Sequence, residues 1–416
     1  MKKRFIPEAL TLTIYNRDAT AYGVSFMTDS DVASFVQFAD EGDTGFKNAK
    51  SARVSTRDYE GKTHVTAVME GLAAGKNYLW RVGCGSDCSE KFKMKTVDTD
   101  SDSLTFTVYS DSQDRKHFGK WWRGAWQDAK ERFPDAALCL HGGDVVENGK
   151  THDLWVRALK YNKGLFTSMP MLPVTGNHDH MTAAGDVTHR YFNISPPADK
   201  KEPLLYYSVD VGPVHFTMLS SGDYGYTERQ GLKAEQIEWA KRDIASSDKK
   251  WKVVMIHTPF YSPGKYGSHP ENAGQPTALR RQLNEAFAKL GVDMVFTGHD
   301  HVFSETYPIT ADGRAEHTSP YVIKKINGEY YRLAVSPKGP IHIESGCTGN
   351  QNRAIECGAG LDEVSAGYFK DIVETPRGCV GYIGVRISGG VLTADYVLKR
   401  VSDGEDVIVR RFGIKK

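Results

Sequence analysis

The sequence predicts an all-β sandwich followed by a layered α/β domain. With 416 residues, the chain is longer than one ordinary hydrophobic core accommodates. Short runs rich in Val, Thr, Tyr and Phe recur in its first part with turn residues between them, which is typical of a β-sandwich. Farther along, strand-like and helix-like runs alternate, as they do in α/β domains. These observations predict domains at 1–97 and 104–416, joined by a polar linker at 98–103.

The strands of the first domain are predicted from short β-prone runs bounded by turn residues. They span residues 10–15, 22–27, 34–38, 52–55, 63–69, 77–82 and 91–96. The string from Gly71 to Gly83 resembles the corner and following strand of a fibronectin type III domain, in which Tyr78 would be the corner tyrosine. The resemblance therefore implies a fibronectin-III-like sandwich.

The elements of the second domain follow from the lengths and periods of its apolar runs. Strands are predicted at 104–110, 136–141, 252–256 and 292–297. Helices are predicted at about 117–132, 154–166, 233–246 and 277–290. From about Cys379 the pattern returns to short strands.

The charge balance excludes several function classes. Basic residues number 53 and acidic residues 52, which gives a formal net charge of +1. This balance leaves no electrostatic footprint for nucleic acid or an anionic membrane. The longest apolar runs, such as 251–256, are strand-sized, so no membrane span is predicted. No clear signal peptide is predicted either, because residues 5–15 have the pattern of a strand. The sequence does not fix the oligomeric state.

The cysteines leave the redox compartment open. Cys139 lies in an apolar run and is predicted to be a buried free thiol. Cys84 and Cys88 flank a short turn and could close a small loop. One further disulfide could form among Cys347, Cys357 and Cys379.

Five short polar clusters each follow an apolar, strand-like run. In an α/β sheet, ligands gather at the carboxyl ends of the strands, so this placement points to one site. The clusters are Asp111-Ser112-Gln113, Gly143-Asp144, Gly176-Asn177-His178-Asp179, His257-Thr258-Pro259 and Gly298-His299-Asp300-His301. Their carboxylate, amide and imidazole groups suit Mn, Zn or Fe better than Ca.

Such a site suits the hydrolysis of phosphate esters. A phosphate ester repels hydroxide through its negative charge, and its leaving group needs stabilisation. Two cations about 3.5–4 Å apart neutralise the phosphate and acidify a water, while an imidazole protonates the departing oxygen. The sequence therefore predicts an enzyme that uses two divalent or trivalent metal ions.

In this order, the clusters resemble the signature of the calcineurin-like metallophosphoesterases. With the sandwich in front, the chain resembles their purple-acid-phosphatase-like branch, which implies a four-layer α/β/β/α sandwich for the second domain. The ligands that the resemblance implies for the first metal are Asp111, Asp144 and His301. Those for the second metal are Asp144, Asn177, His257 and His299.

The resemblance also implies the catalytic groups. A hydroxide held between the metals would attack phosphorus, and His178 would protonate the leaving group or stabilise the transition state. Asp179 is placed to orient the imidazole of His178. Family members with this sandwich are mostly exported, so the resemblance favours a secreted or periplasmic protein.

Two positions depart from the family pattern. Most members have His where this chain has Gln113, and purple acid phosphatases have a metal-binding Tyr where this chain has Glu147. Either the amide oxygen of Gln113 or the carboxylate of Glu147 could complete the first metal site. Without the tyrosinate, a ferric centre and a purple colour are not expected.

Three further residues are candidates for substrate contact or an additional metal ligand. His180 adjoins the third cluster, and Tyr261 and His269 lie on a loop rich in Gly, Pro and Ser. Loop polarity alone explains the last two equally well.

The predicted activity is hydrolysis of small-molecule phosphomonoesters, phosphodiesters or both. One alternative is a pyrophosphatase or nucleotide phosphohydrolase that uses the same metals. Another is a catalytically weak binding protein that retains the fold, an interpretation supported only by Gln113 and Glu147.

Overall fold

The computed structural model describes residues 5–29, 33–59, 61–114, 116–180, 190–196, 206–222, 231–265, 274–349 and 367–416. The first part contains strands β1 (Glu8–Ile14), β2 (Tyr22–Thr28), β3 (Ser34–Asp40), β4 (Lys50–Ser51), β5 (Arg53–Tyr59), β6 (Lys62–Met69), β7 (Asn77–Cys84), β8 (Asp87–Cys88) and β9 (Phe92–Lys95).

The middle of the chain alternates between strands and helices. Its elements are β10 (Ser103–Tyr109), α1 (Lys120–Arg132), β11 (Leu138–His141), α2 (His152–Tyr161), α3 (Lys163–Phe166), β12 (Met171–Pro173), β13 (Tyr207–Val211), β14 (Val214–Leu219), α4 (Ala234–Ser246), β15 (Trp251–Ile256), α5 (Gly274–Lys289) and β16 (Met294–Thr297). The remaining strands are β17 (Phe303–Thr306), β18 (Tyr321–Ile326), β19 (Glu329–Val335), β20 (Ile341–Ser345), β21 (Phe369–Val373), β22 (Cys379–Ser388), β23 (Val391–Arg400) and β24 (Asp406–Lys415).

The first part is a β-sandwich that contains all seven predicted strands. One sheet holds β1, β2, β6 and β5, and the other holds β4, β3, β7, β8 and β9. The corner hydrogen bond expected of Tyr78 is present, because its hydroxyl accepts from the backbone N–H of Ala73 at 2.9 Å. Trp80 and Val24 are among the fully buried side chains of the core.

The second part has the predicted four layers. Strand β10 shows how the layers arise, since alternate side chains point to opposite faces. Phe106 packs edge-on against Phe216 of the second sheet, with ring centroids 5.2 Å apart. Tyr109, on the opposite face, packs against Trp122 of α1 at 6.0 Å. On the far side, α4 and α5 cover the outer face of β15.

The sandwich and the phosphoesterase-like part share a sheet. Strand β1 pairs in parallel with β12, with Thr13 opposite Met171. A continuous twelve-stranded sheet results, in the order β18-β19-β24-β23-β22-β10-β11-β12-β1-β2-β6-β5. It faces a seven-stranded sheet in the order β13-β14-β15-β16-β20-β17-β21. The pairing of β1 with β12 was not predicted from the sequence.

Two secondary-structure predictions need correction. The single helix predicted at 154–166 is broken at Asn162, whose side-chain amide donates to the carbonyls of Gly119 and Ala158. The tail is not made of short strands, because β22, β23 and β24 have ten residues each. They form an antiparallel meander that extends the large sheet.

No disulfide joins the described cysteines to one another, so the bonds considered for Cys84 with Cys88 and for Cys347 with Cys379 are not formed. In the β7–β8 pair, Cys84 lies opposite Asp87 and Cys88 lies opposite Gly83. Adjacent residues point to opposite faces, so the two thiols cannot meet. Cys357 lies outside the described residues. No helix in the described segments is long and apolar enough to cross a membrane.

The segment 190–196 binds across the face of the sandwich. Ser25 donates to the carbonyl of Arg190 at 2.8 Å, and Thr13 donates to that of Asn193 at 2.5 Å. Gly23 makes the close approach possible, because a Cβ there would lie 2.0 Å from the carbonyl oxygen of Asn193. The sandwich therefore holds a segment that follows the third polar cluster along the chain.

A cluster of charged side chains around the buried ring of His215 also joins the two parts. The ring of His215 lies between Asp210 at 2.6 Å and Asp243 at 3.0 Å. Arg17, which follows β1, contacts both carboxylates. Burial disfavours the charged ring, but the hydrogen bonds to the two carboxylates outweigh burial and raise the pKa of His215.

Replacing Gly23 with Ala should destabilise the protein by about 1–3 kcal/mol, because the added methyl group must displace backbone rather than a flexible side chain. Urea unfolding measures the change. Gly124→Ala is the matched control, since Gly124 is exposed on helix α1 and nothing lies within 4 Å of its Cβ position. That control should be neutral or stabilising. Equal stability of Gly23→Ala and the parent would contradict the tight contact.

Replacing His215 with Gln should reduce Tm most at acidic pH. The raised pKa means that the charged ring stabilises the fold fully below about pH 6.5, and that this contribution is lost as pH rises through the folded-state pKa. The Tm difference from the parent should therefore narrow as the pH rises above about 6.5. Exposed His317→Gln serves as the control. A difference that is constant with pH would contradict a charged His215.

Candidate metal centre

The five polar clusters all lie in loops at the carboxyl ends of parallel strands. The loops after β10, β11 and β12 carry Asp111, Asp144 and Asn177 on the large sheet. The loops after β15 and β16 carry His257 and His299 on the second sheet. Because the two sheets face each other, these loops meet at one edge of the double layer.

One group of ligand atoms converges around Asp144, His257 and His299, all within 4.8 Å of one another. The side-chain oxygen Oδ1 of Asn177 lies 3.1 Å from Nε2 of His257 and 2.9 Å from Nδ1 of His299. The two ring nitrogens are 3.2 Å apart. Oxygen and nitrogen ligands thus surround a common point.

The ring orientation of His257 shows which of its nitrogens faces the point where these ligand atoms converge. Its Nδ1 lies 2.7 Å from the backbone carbonyl of Gly142, which can only accept, so Nδ1 carries a proton. In the neutral ring, Nε2 therefore presents a lone pair to Asn177 and to Asp144, whose Oδ2 is 3.4 Å away. Lone pairs facing one another repel unless a cation lies between them, so the residues fit a metal ion.

The charge of the site leads to the same conclusion. Burial disfavours a charged His257, but Asp144 and Asp111 outweigh burial and raise its pKa to about 9. The carboxylates therefore hold a positive charge at this position, and a metal ion would replace that proton.

A second group consists of Asp111, Asp144 and His301, again with ligand atoms within 4.8 Å of one another. All three are buried, and Nε2 of His301 lies 3.3 Å from Oδ1 of Asp111. Asp144 belongs to both groups. The arrangement is that of two adjacent cation sites with one shared carboxylate.

Unusual backbone conformations place the ligands. Asp111, Asp144, His299 and His301 have φ angles of 52°, 56°, 81° and 61°. Side chains other than glycine rarely adopt this left-handed region, and such strain is concentrated at functional sites. The carboxylate of Asp111 helps to hold the last loop, because it accepts from the backbone N–H of His299 at 3.0 Å.

His178 lies beside the shared carboxylate. Its backbone N–H donates to Oδ1 of Asp144 at 2.8 Å, and its Nδ1 lies 2.9 Å from the backbone carbonyl of Glu147. Because that carbonyl accepts the proton of Nδ1, Nε2 is the nitrogen that faces the site. It lies 4.0 Å from Oδ2 of Asp144.

The prediction that Asp179 orients the ring of His178 is wrong. Its carboxylate accepts from the backbone N–H groups of Val145, Val146 and Gly176 at 2.9, 3.2 and 3.1 Å. Burial and the nearby charge of Asp144 raise its pKa to about 7. Asp179 therefore holds the second and third loops together, and the carbonyl of Glu147 orients the imidazole.

Three further residues were predicted to contact substrate or an additional metal ion. Tyr261 is buried, and its hydroxyl accepts from the amide of Asn284 at 2.6 Å, so its contact with substrate or metal stays a prediction. His180 is also buried, which lowers its pKa, and its contact with substrate stays a prediction. His269 lies outside the described residues.

The structure adds supports that sequence reasoning missed. Ser262 donates to Oδ2 of Asp300 at 2.6 Å, and the backbone N–H of Asp300 donates to the buried carboxyl of Glu344 at 3.2 Å. These contacts fix the loop that carries His299 and His301. Asp300 belongs to the last polar cluster of the sequence. Glu344 is on β20, which was not predicted from the sequence.

Comparisons with known proteins agree with this architecture. Residues 104–303 match the family described as Calcineurin-like phosphoesterase, and residues 7–96 match the family described as Purple acid Phosphatase, N-terminal domain.

Three curated relatives are each 24% identical to the chain. They are acid phosphatase type 7 of Mus musculus, acid phosphatase type 7 of Homo sapiens and purple acid phosphatase 21 of Arabidopsis thaliana. The matches cover 82%, 68% and 84% of this chain respectively. They span 78%, 63% and 73% of the relatives' own lengths, so the match to the human protein covers less than two thirds of it.

A solved structure of a purple acid phosphatase from yellow lupin (Lupinus luteus) seeds has the same fold. It superimposes with a TM-score of 0.73 at 14% identity, over 98% of this chain and 74% of that one. The structure of PhoD gives a TM-score of 0.65 at 15% identity, over 97% of this chain and 88% of that one. By these family matches, residues 104–303 form a calcineurin-like phosphoesterase domain, and residues 7–96 before it form a purple acid phosphatase N-terminal domain.

Proposed function

We propose that this chain hydrolyses phosphomonoesters, phosphodiesters or both at a centre of two metal ions. The observation that carries the proposal is the pair of ligand groups that share Asp144. We assign Asp111, Asp144 and His301 to the first metal. We assign Asp144, Asn177, His257 and His299 to the second. Mn, Zn and Fe fit these oxygen and nitrogen ligands best.

The assigned residues have distinct tasks. When bound, two metal ions supply positive charge for the phosphate and lower the pKa of water. Asp144 keeps the two sites adjacent, and Gly142 fixes the tautomer of His257 through its carbonyl. His178 acts through Nε2, because its other ring nitrogen is engaged by the carbonyl of Glu147. In its imidazolium form, with both ring nitrogens protonated, it donates the Nε2 proton to the leaving oxygen from this position.

The two-part division of the chain is part of the proposal. The two family matches, at 7–96 and 104–303, support a boundary within 98–103. The pairing of β1 with β12 supports a structural rather than a detachable role for the sandwich. The substrate is a small-molecule phosphate ester, consistent with the balanced charge of the chain.

Removal of metal should abolish activity, and its return should restore it. We expect metal-stripped protein to regain hydrolysis of p-nitrophenyl phosphate or bis-p-nitrophenyl phosphate as Mn, Zn, Fe or Co is added, with saturation near two metals per chain. Comparison of the hydrolysis rates of the two esters shows whether phosphomonoesterase or phosphodiesterase activity is the stronger. Nucleoside diphosphates in the same assay test the pyrophosphatase alternative. A protein that binds no metal would overturn the proposal.

Replacing His178 with Gln should slow the hydrolysis of esters with poor leaving groups more than that of esters with good leaving groups. An alkyl phosphate needs a proton on its departing oxygen, so kcat should fall about 100-fold or more, whereas p-nitrophenyl phosphate should lose much less. Metal stoichiometry should be unchanged, because His178 is outside both ligand groups. Exposed His317→Gln is the control. Equal losses for both leaving groups would contradict the role of proton donor.

A further inference from the structure

The two candidate metal sites differ in the number of protein groups that converge on them. The second site combines Asp144 and two histidines with the amide oxygen of Asn177. Among the carboxylate, imidazole and thiol groups of the described residues, the first site has Asp111, Asp144 and His301. Metal sites of this kind have at least four coordination positions, so a fourth ligand, either water or a protein group, is expected at the first site.

Gln113 is the amide that faces the first site. Its side chain is completely buried, and its Nε2 lies 3.3 Å from Oδ2 of Asp144 and 3.4 Å from Nε2 of His301. Its Oε1 is buried and has no hydrogen-bond partner among the described residues. A buried acceptor without a partner destabilises the folded state, so this orientation leaves the hydrogen-bonding capacity of the amide incompletely used.

A cation at the first site would reverse the preference of the amide. The lone pairs of Asp144 and His301 would then point to the cation, and the amide nitrogen beside them would be repelled. Rotation by about 180° around the Cγ–Cδ bond exchanges the nitrogen and the oxygen of a carboxamide in nearly the same volume. The rotation would bring Oε1 to the metal and give the buried oxygen a partner.

Glu147, the other residue considered for this position, faces elsewhere. Its carboxylate lies 4.0 Å from Nδ1 of His178, and its backbone carbonyl holds the same nitrogen at 2.9 Å. Among the described residues, Glu147 belongs to neither of the two converging groups. Its geometry therefore relates it to His178 and not to the first site.

We propose that Oε1 of Gln113, and not Glu147, is the fourth protein ligand of the first metal, and that it makes this site selective for divalent over trivalent ions. A carboxylate or phenolate ligand adds a negative charge, which stabilises a trivalent ion more than a divalent one. A neutral amide adds no such charge. The proposal rests on the two-metal function given above.

The test is a titration of the metal-free full-length protein with Mn²⁺, followed by metal analysis and electron paramagnetic resonance. The wild type should bind two Mn²⁺ per chain and give the signal of a coupled pair. Gln113→Met, similar in size but without an oxygen, should lose the coupled signal and bind the first ion about 10-fold more weakly or worse. Glu147→Gln should match the wild type. Thermal melting checks that each variant is folded.

Other results would overturn the assignment. A coupled signal in Gln113→Met together with its loss in Glu147→Gln would make Glu147 the ligand, and retention in both would exclude both. Gln113→Glu gives an independent test, since the added charge should raise the affinity for Fe(III) relative to Mn²⁺ about 10-fold or more; no change would contradict the proposal. A wild type that binds fewer than two Mn²⁺ would instead refute the two-metal function itself.

Discussion

The fold is stable only if the negative charge of two buried carboxylates is balanced at the edge where the two sheets meet. Asp111 and Asp144 are buried, and isolated charges of this kind are costly to remove from water. Asp144 accepts from the backbone of His178 and faces the ring of His257, so it connects loops from both sheets. Cations at the two sites would supply the missing charge. Metal binding and folding should therefore stabilise each other.

The same edge contains the strained backbone of the molecule. Four of the assigned ligands have positive φ angles, and each such residue costs roughly 1–3 kcal/mol. Hydrogen bonds from rigid neighbours offset this cost, such as those that join Asp111 to the backbone of His299 and Asp179 to the loop after β11. Rigid parallel strands fix the base of each loop. The ligands are thus preorganised by the fold rather than gathered by the metal alone.

The sandwich contributes to this rigidity in a way that composition does not reveal. The sequence predicted its strands, because short runs with turn residues between them are a local signal. The pairing of Thr13 with Met171 joins strands far apart in the chain, and no local pattern specifies such a register. The close contact of Gly23 with Asn193 is a second example, since a glycine in a strand does not reveal what approaches it. The sandwich therefore supports the phosphoesterase part instead of standing apart from it.

The types of the proposed ligand residues, their order along the chain and their placement after strands could be predicted from the sequence, because these are local properties of residues. Asp144, Asn177 and His257 could be singled out for that reason. The atoms that orient these side chains could be identified only in the folded chain. Backbone carbonyls of Gly142 and Glu147 fix the imidazoles of His257 and His178, and a carbonyl is the same group whatever residue carries it. Its partner is set by the packing of distant loops, which the order of side chains does not specify.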